Sequence, residues 1–184
     1  LHDNHGLARA LRLLSLTHSW HCHWEAMADS LRSALVHAEK AGDESERGAI
    51  LVWLVTALYY GPLPAPEAIR QCEEVMQSAA GNRIVQGPTA CYLAGLLAMT
   101  GRFDEARDWG SRGMTILAEL GLKQRLAGGR VRLADVELLA GEPKAAEHEL
   151  LTAFEALESS GDRSGAIAIA ADLAHVLYVQ GRFA

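Results

Sequence analysis

The chain has 184 residues, 49% of them hydrophobic and 22% charged, as in a globular protein with enough apolar material for a sizeable core. Seventeen Lys plus Arg against 23 Asp plus Glu leave a net charge of −6, without the cationic excess of a protein that holds DNA or RNA along its length. The longest apolar run, Ala49 to Tyr60, is 12 residues, short of the roughly 20 that a membrane span needs, so no transmembrane helix is expected.

Taken in chain order, the sequence predicts nine helices in alternating A and B positions. The A helices lie near 6–20, 45–60, 87–100, 124–140 and 164–180, and the B helices near 24–41, 66–80, 104–120 and 144–160. Their periodicity is clearest in the second half. From Ala106 the apolar or small positions are Trp109, Gly110, Gly113, Ile116, Leu117 and Leu120; from Ala146 they are Leu150, Ala153, Phe154 and Leu157. Steps of three and four mark one helix face, and Glu105, Arg107, Asp108, Arg112 and Glu119 take the other. Asp104 suits an N-cap, and Pro66 and Pro143 suit a first helical turn. Pro88 either opens its helix late or kinks it. No stretch alternates with period two and no Asn-Gly or Asp-Gly hairpin turn occurs, so no β-sheet is expected.

Glycines set the period. Gly61, Gly101, Gly141 and Gly181 are spaced by 40, and Gly42, Gly81, Gly121 and Gly161 by 39, 40 and 40. Glycine suits a helix C-cap because it accepts positive φ without a Cβ penalty. A phrase follows the first set: Gly101-Arg-Phe-Asp-Glu-Ala106, Gly141-Glu-Pro-Lys-Ala-Ala146 and the start of a copy at Gly181-Arg-Phe-Ala184. Gly61-Pro-Leu-Pro-Ala-Pro-Glu-Ala68 is a looser copy, and His21-Cys-His-Trp-Glu-Ala26 lacks the glycine but has Ala26 in phase. The repeats run over about 4–41, 44–81, 82–121 and 122–161, with a partial one over 162–184, in a single repeat domain. One helix pair cannot bury its apolar face alone, so the pairs are expected to stack into a solenoid.

The phrase Gly-Arg-Phe-Asp-Glu-Ala resembles the inter-helix turn of tetratricopeptide repeats. That family places a small residue seven positions before the turn glycine, where Ala94, Ala134 and Ala174 stand here but Leu14 and Leu54 depart. It places an aromatic two after the glycine, matched by Phe103 and Phe183 but not by Leu63 or Pro143. It places Ala five after, matched by Ala106 and Ala146. The family's common period is 34, whereas this one is 40. Forty-residue versions resemble the arrays of large bacterial regulators: the maltose-type and LuxR-type transcriptional activators, and the adenylate/guanylate cyclases with an AAA-type ATPase domain. Tyr60-Gly-Pro-Leu-Pro-Ala-Pro-Glu-Ala-Ile-Arg-Gln-Cys-Glu-Glu74, Ala98-Met-Thr-Gly-Arg-Phe-Asp-Glu-Ala-Arg107 and Glu137-Leu-Leu-Ala-Gly-Glu-Pro143 carry that likeness. It implies an all-α, right-handed α-α superhelix of about four and a half helix pairs.

The resemblance also implies a concave groove lined by the A helices. Its phase gives Leu51, Val55, Leu58 and Tyr59; Cys91, Gly95, Ala98 and Met99; Val131, Asp135, Leu138 and Leu139; and Ala171, His175, Tyr178 and Val179. Leu51, Val55, Tyr59, Cys91, Met99, Val131, Asp135, Leu138, His175 and Tyr178 are the candidate partner-binding residues. This lining is apolar, suited to an amphipathic helix or an apolar segment of a partner domain. It lacks the Lys, Arg and Asn with which family members hold a peptide carboxylate.

Other chemistry finds little support. His18, His21, Cys22 and His23 are of metal-ligating type, but they fall in the first inter-helix turn and no second half-site follows, so no metal is assigned. Three cysteines, Cys22, Cys72 and Cys91, cannot all pair within the chain, which points to a reducing compartment. Trp20, Trp24, Trp53 and Trp109 lack the interleaved Arg or Lys of a base-stacking site. Lys123, Arg125, Arg130 and Arg132 form the strongest basic cluster, with Glu119, Asp135 and Glu137 near enough to balance it. No Gly-x-Ser-x-Gly elbow and no Gly-x-x-x-x-Gly-Lys-Ser/Thr loop is present, so neither catalysis nor a cofactor is expected. Leu1 to Ala10 shows no signal-peptide pattern, and a chain opening on Leu reads as a fragment of something longer.

The expectation is a non-catalytic interaction scaffold of a bacterial, cytoplasmic signal-transduction or transcriptional ATPase. Its partner would be its own ATPase or output domain, or a peptide, with no nucleic acid and no membrane. The alternative is an array that senses a small effector between A helices near Tyr59, Met99, Asp135 and Tyr178. A homodimer through the C-terminal helix is a further expectation, from the stripe Ile167, Ala171, Ala174 and Val179.

Overall fold

The computed structural model describes residues 3–183. Among them are nine α-helices and no strand: α1 (Asn4–Trp20), α2 (Trp24–Ala41), α3 (Glu44–Tyr60), α4 (Ala65–Ser78), α5 (Arg83–Met99), α6 (Phe103–Glu119), α7 (Lys123–Leu139), α8 (Pro143–Ser159) and α9 (Arg163–Val179). The odd-numbered helices are the A helices of the sequence reading and the even-numbered ones the B helices. Two compact units divide the chain, Leu1–Thr89 and Ala90–Ala184, with the boundary inside α5.

Local chemistry explains most helix ends. Asp3, Asp43 and Asp162 are N-caps whose carboxylates accept from the N–H groups of Gly6 (2.8 Å), Glu46 (2.9 Å) and Gly165 (3.0 Å). Pro143 opens α8, and Pro66 sits in the first turn of α4, where a missing N–H costs nothing. Asp104 is not the N-cap expected of it. α6 starts one residue earlier, at Phe103, and Asp104 and Glu105 place their charge in the positive first turn instead.

The turns repeat one hydrogen-bonded motif. Seven glycines, at 42, 81, 101, 121, 141, 161 and 181, have positive φ. Past most of them an N–H reaches back to a carbonyl five residues earlier: Arg102 to Leu97 (3.1 Å), Glu142 to Glu137 (2.8 Å), Asp162 to Leu157 (3.0 Å). This Schellman closure satisfies carbonyls that the helix end orphans. Gly61 departs from the set, with φ −76° and ψ 175°. It is needed for space: a Cβ there would lie 2.6 Å from the carbonyl oxygen of Ala57.

The first turn uses the same motif without glycine. Cys22 takes φ 55°, and the N–H of His23 bonds His18 O at 2.9 Å. Cys22, not His21, therefore stands at the turn-glycine position. Met27, five residues on, replaces the alanine of later copies; Met27, Ala106 and Ala146 are all fully buried. The first copy is one residue out of the phase that Ala26 suggested.

Pro88 neither opens α5 nor ends it. The helix begins at Arg83, four residues before the expected start, and contains Pro88 in its interior. Val85, Thr89 and Ala90 are buried around it, and Thr89 Oγ1 donates to Val85 O at 2.8 Å. Burial of this stretch outweighs the proline's intrinsic cost, a case of tertiary packing overriding local preference.

In unit 1, successive helices α1 to α4 pack on one another and α1 also touches α3. The core holds Met27, Leu31, Ala34, Ile50, Val55 and Cys72. In unit 2, α6 to α9 pack in succession and α7 also touches α9. Its core joins Ala127 and Ala134 of α7, Ala146, Leu150, Ala153 and Leu157 of α8, and Ala166, Ile169 and Val176 of α9. Each fully buried Leu or Ile contributes about 1.5–3 kcal/mol. In both units the A helices meet one another, α1 with α3 and α7 with α9.

Cys22→Gly should raise stability by roughly 0.5–1 kcal/mol, the 1–2 kcal/mol relief of left-handed strain less the entropy that glycine gives the unfolded chain. Urea denaturation of the two proteins measures this; a loss of stability would show that the Cys22 side chain contributes more than its backbone costs.

Candidate functional site

Small residues bring the A helices of unit 2 together. A Cβ on Gly129 of α7 would lie 3.0 Å from Cys91 Sγ of α5, so α5 and α7 meet at that glycine. On the other flank α7 packs against α9. Three consecutive A-helix segments thus lie side by side. Their exposed apolar residues include Met99 (47% exposed), Leu139 (51%), Tyr178 (67%) and Val179 (51%). Tyr178 meets Phe183 edge-on, with ring centroids 5.5 Å apart.

The ten candidate residues divide between surface and core. Leu51 and Val55 are buried in unit 1, and Tyr59 beside them is half-buried with its ring edge-on to Tyr60 at 5.0 Å. Cys91 is buried in unit 2. Val131 and Leu138 are partly buried against the unit 2 core. Asp135 is half-buried and ion-paired with Arg132 at 3.3 Å. Met99, His175 and Tyr178 are exposed.

Charges on unit 2 tie its helices together. Arg107 of α6 forks onto Glu137 of α7 with bonds of 2.9 and 2.8 Å, and this bidentate contact raises the Arg107 pKa. Arg130 of α7 meets Glu149 of α8 at 2.6 Å. Gln180 (2.8 Å) and Arg182 (2.7 Å) both bond Glu147 of α8, holding its carboxyl below the usual range. The basic cluster read from the sequence is therefore largely engaged: Arg130 pairs with Glu149 and Arg132 with Asp135, while Glu137 is taken by Arg107.

Unit 1 carries a feature that sequence reasoning missed. The α1–α2 turn and the α3–α4 turn border a shallow, open cleft of about 510 Å³, lined by Cys22, His23, Trp24 and Glu25 on one side and Tyr60, Gly61 and Pro62 on the other. Trp24 and Tyr60 stack with centroids 4.9 Å apart and planes 24° apart. Gly61 lies against Trp24; a Cβ there would sit 3.7 Å from Trp24 Cβ. The only sequence signal was the placing of Trp24 and Tyr59-Tyr60 beside inter-helix turns.

His21 and His23 have ring centroids 5.9 Å apart. Among the described residues no group of three or more His, Cys, Asp or Glu side chains is placed to hold a metal ion. The thiols differ sharply. Burial pushes Cys72 and Cys91 up to about 12, while Cys22 is exposed. Among the described residues no helix is long and apolar enough to cross a membrane.

At the level of sequence, no family model and no curated protein matches the chain. Solved structures do match. A Rap protein in complex with competence and sporulation factor superposes with a TM-score of 0.79 at 15% identity, over 94% of this chain and 48% of that one. BtubC from P. vanneervenii superposes with a TM-score of 0.61 at 14% identity, over 97% of this chain and 83% of that one. The chain thus spans about half the length of the Rap protein. These likenesses show the fold: an all-α, solenoid-like array of tetratricopeptide-type helical repeats.

With an aromatic disulfide reagent at pH 8, the native chain should react at one thiol, Cys22, and all three should react in denaturant. Cys22→Ser should be silent until unfolded. Fast reaction of a second thiol in the native chain would contradict the burial of Cys72 and Cys91.

Proposed function

We propose that this array is a non-catalytic protein-interaction module of a bacterial, cytoplasmic regulatory protein, binding a polypeptide segment along the A-helix face of unit 2. One observation carries the reading: Met99, Leu139, Tyr178 and Val179 are exposed at the C-terminal ends of the neighbouring A helices α5, α7 and α9. Exposed apolar side chains grouped on one face mark an interaction surface. The similar Rap chain is described in complex with competence and sporulation factor, which supports reading such an array as a binder. Asp135 and His175, at the polar positions of the same helices, would set orientation.

The partner in this reading is the parent protein's own ATPase or output domain, and the contact regulates it. A differential affinity of a few kcal/mol between two states is enough for such a switch. A second reading is self-association through α9, favoured by the exposure of Ile167 (72%) and Phe183 (77%) near Tyr178 and Val179.

The test compares the parent protein with and without residues 1–184, and with Leu139→Asp/Tyr178→Asp, in ATPase and output assays. The reading expects deletion to change output and the double variant to reproduce that change while the chain keeps its helical circular dichroism. Unchanged activity on deletion would refute the regulatory reading. Sedimentation of the chain alone separates the second reading: a dimer that Ile167→Glu dissociates would assign the α9 face to self-association.

A further inference from the structure

The cleft between the first and third inter-helix turns has the chemistry of a cation site. We propose that it docks an arginine side chain presented by a polypeptide partner, with the Trp24–Tyr60 stack as its aromatic wall and Glu25 as its counter-charge. The site belongs to unit 1 and stands or falls independently of the surface on unit 2.

Three observations carry this. First, the aromatic wall is already assembled. Trp24 and Tyr60 stack at 4.9 Å, the edge of Tyr59 meets Tyr60 at 5.0 Å, and Gly61 lies against Trp24. Rings held in this way lose little freedom when a ligand arrives. Second, Glu25 lines the cleft, is exposed, and makes no hydrogen bond or ion pair among the described residues. The nearby Arg32 is already committed, donating to Asp29 at 3.0 Å and Gln71 at 3.1 Å. One carboxylate is therefore left beside an aromatic face. Third, α2 begins at Trp24 with no side-chain cap from His23. The N–H groups of Trp24, Glu25 and Ala26 find no acceptor among the described residues.

A guanidinium satisfies the first two features together: it is planar, stacks on aromatic faces and forks onto a carboxylate. A lysine ammonium would meet the carboxylate as a point charge and gain less from the rings. The uncapped amides select a polypeptide over a free guanidinium compound, because a peptide also brings carbonyl acceptors. A narrower cleft of about 90 Å³ adjoins the first, shares Trp24, Glu25, Gly61 and Pro62, and extends along α2 to Asp29 and the Arg32 that pairs with it.

The probe is an acetylated, amidated Ala-Ala-Arg-Ala-Ala peptide, titrated into the isotope-labelled chain while the indole N–H resonances are followed. Trp24→Phe assigns the Trp24 signal. A saturable shift at Trp24 is expected, with the Trp53 and Trp109 signals unmoved. The same peptide with citrulline, isosteric and uncharged, should bind at least about fivefold more weakly, as should the Glu25→Gln chain. Glu73→Gln removes an equal charge from an exposed position of the same unit and should leave the affinity unchanged. Ethylguanidinium should bind more weakly than the peptide. Absence of a Trp24 shift, equal binding of the citrulline peptide, or indifference to Glu25→Gln would overturn the cation site. Ethylguanidinium binding as tightly as the peptide would overturn the polypeptide occupant.

Discussion

Close approach of helix to helix at small residues is the constraint on which this structure rests. Ala106, Gly110, Gly113 and Leu117 of α6, and Ala146, Leu150, Ala153 and Leu157 of α8, are buried in steps of four, three and four. At two glycines, Gly110 of α6 and Gly129 of α7, there is little room for a side chain. A Cβ on Gly110 would stand 3.2 Å from Leu133 Cδ1, and one on Gly129 would stand 3.0 Å from Cys91 Sγ. Interiors packed to this density tolerate added methylenes poorly. The turns supply the other half of the constraint. A left-handed residue followed by a Schellman bond reverses the chain in a few residues, so consecutive helices meet along their length.

Much of this was legible in the sequence, because the same local solution recurs every 40 residues. Eight of the nine helices begin within two residues of where periodicity and punctuation put them; the ninth, α5, starts at Arg83. The failures have particular causes. Pro88 was read as opening its helix late or kinking it; the helix starts before it, at Arg83, and Val85 and Thr89 are fully buried around it. Asp104 carries a capping side chain two positions past the N-cap, Arg102. Cys22 hides a glycine-type turn, since nothing in its chemistry announces a φ of 55°.

The candidate surface was legible in phase and not in exposure. The tetratricopeptide resemblance implies that Leu51, Val55, Cys91, Met99 and Tyr178 share the same face of A helices. It does not say that a neighbouring helix buries the first three and leaves Met99 and Tyr178 exposed. The unit 1 cleft was illegible for a related reason. Trp24 and Tyr60 are far apart in sequence and meet only because α2 and α3 pack antiparallel between two turns at the same edge.

The central claim is that the buried alanines five places after the A-to-B turn glycines, Ala106 after Gly101 and Ala146 after Gly141, set the helix-to-helix distance. Ala146 is fully buried, and its neighbour Ala145 on the same helix is exposed. Urea denaturation of Ala146→Leu beside Ala145→Leu tests it directly. The account predicts a loss of about 1–3 kcal/mol for Ala146→Leu from overpacking. It predicts a change within about 0.5 kcal/mol for Ala145→Leu. Equal stability of the two variants would contradict it.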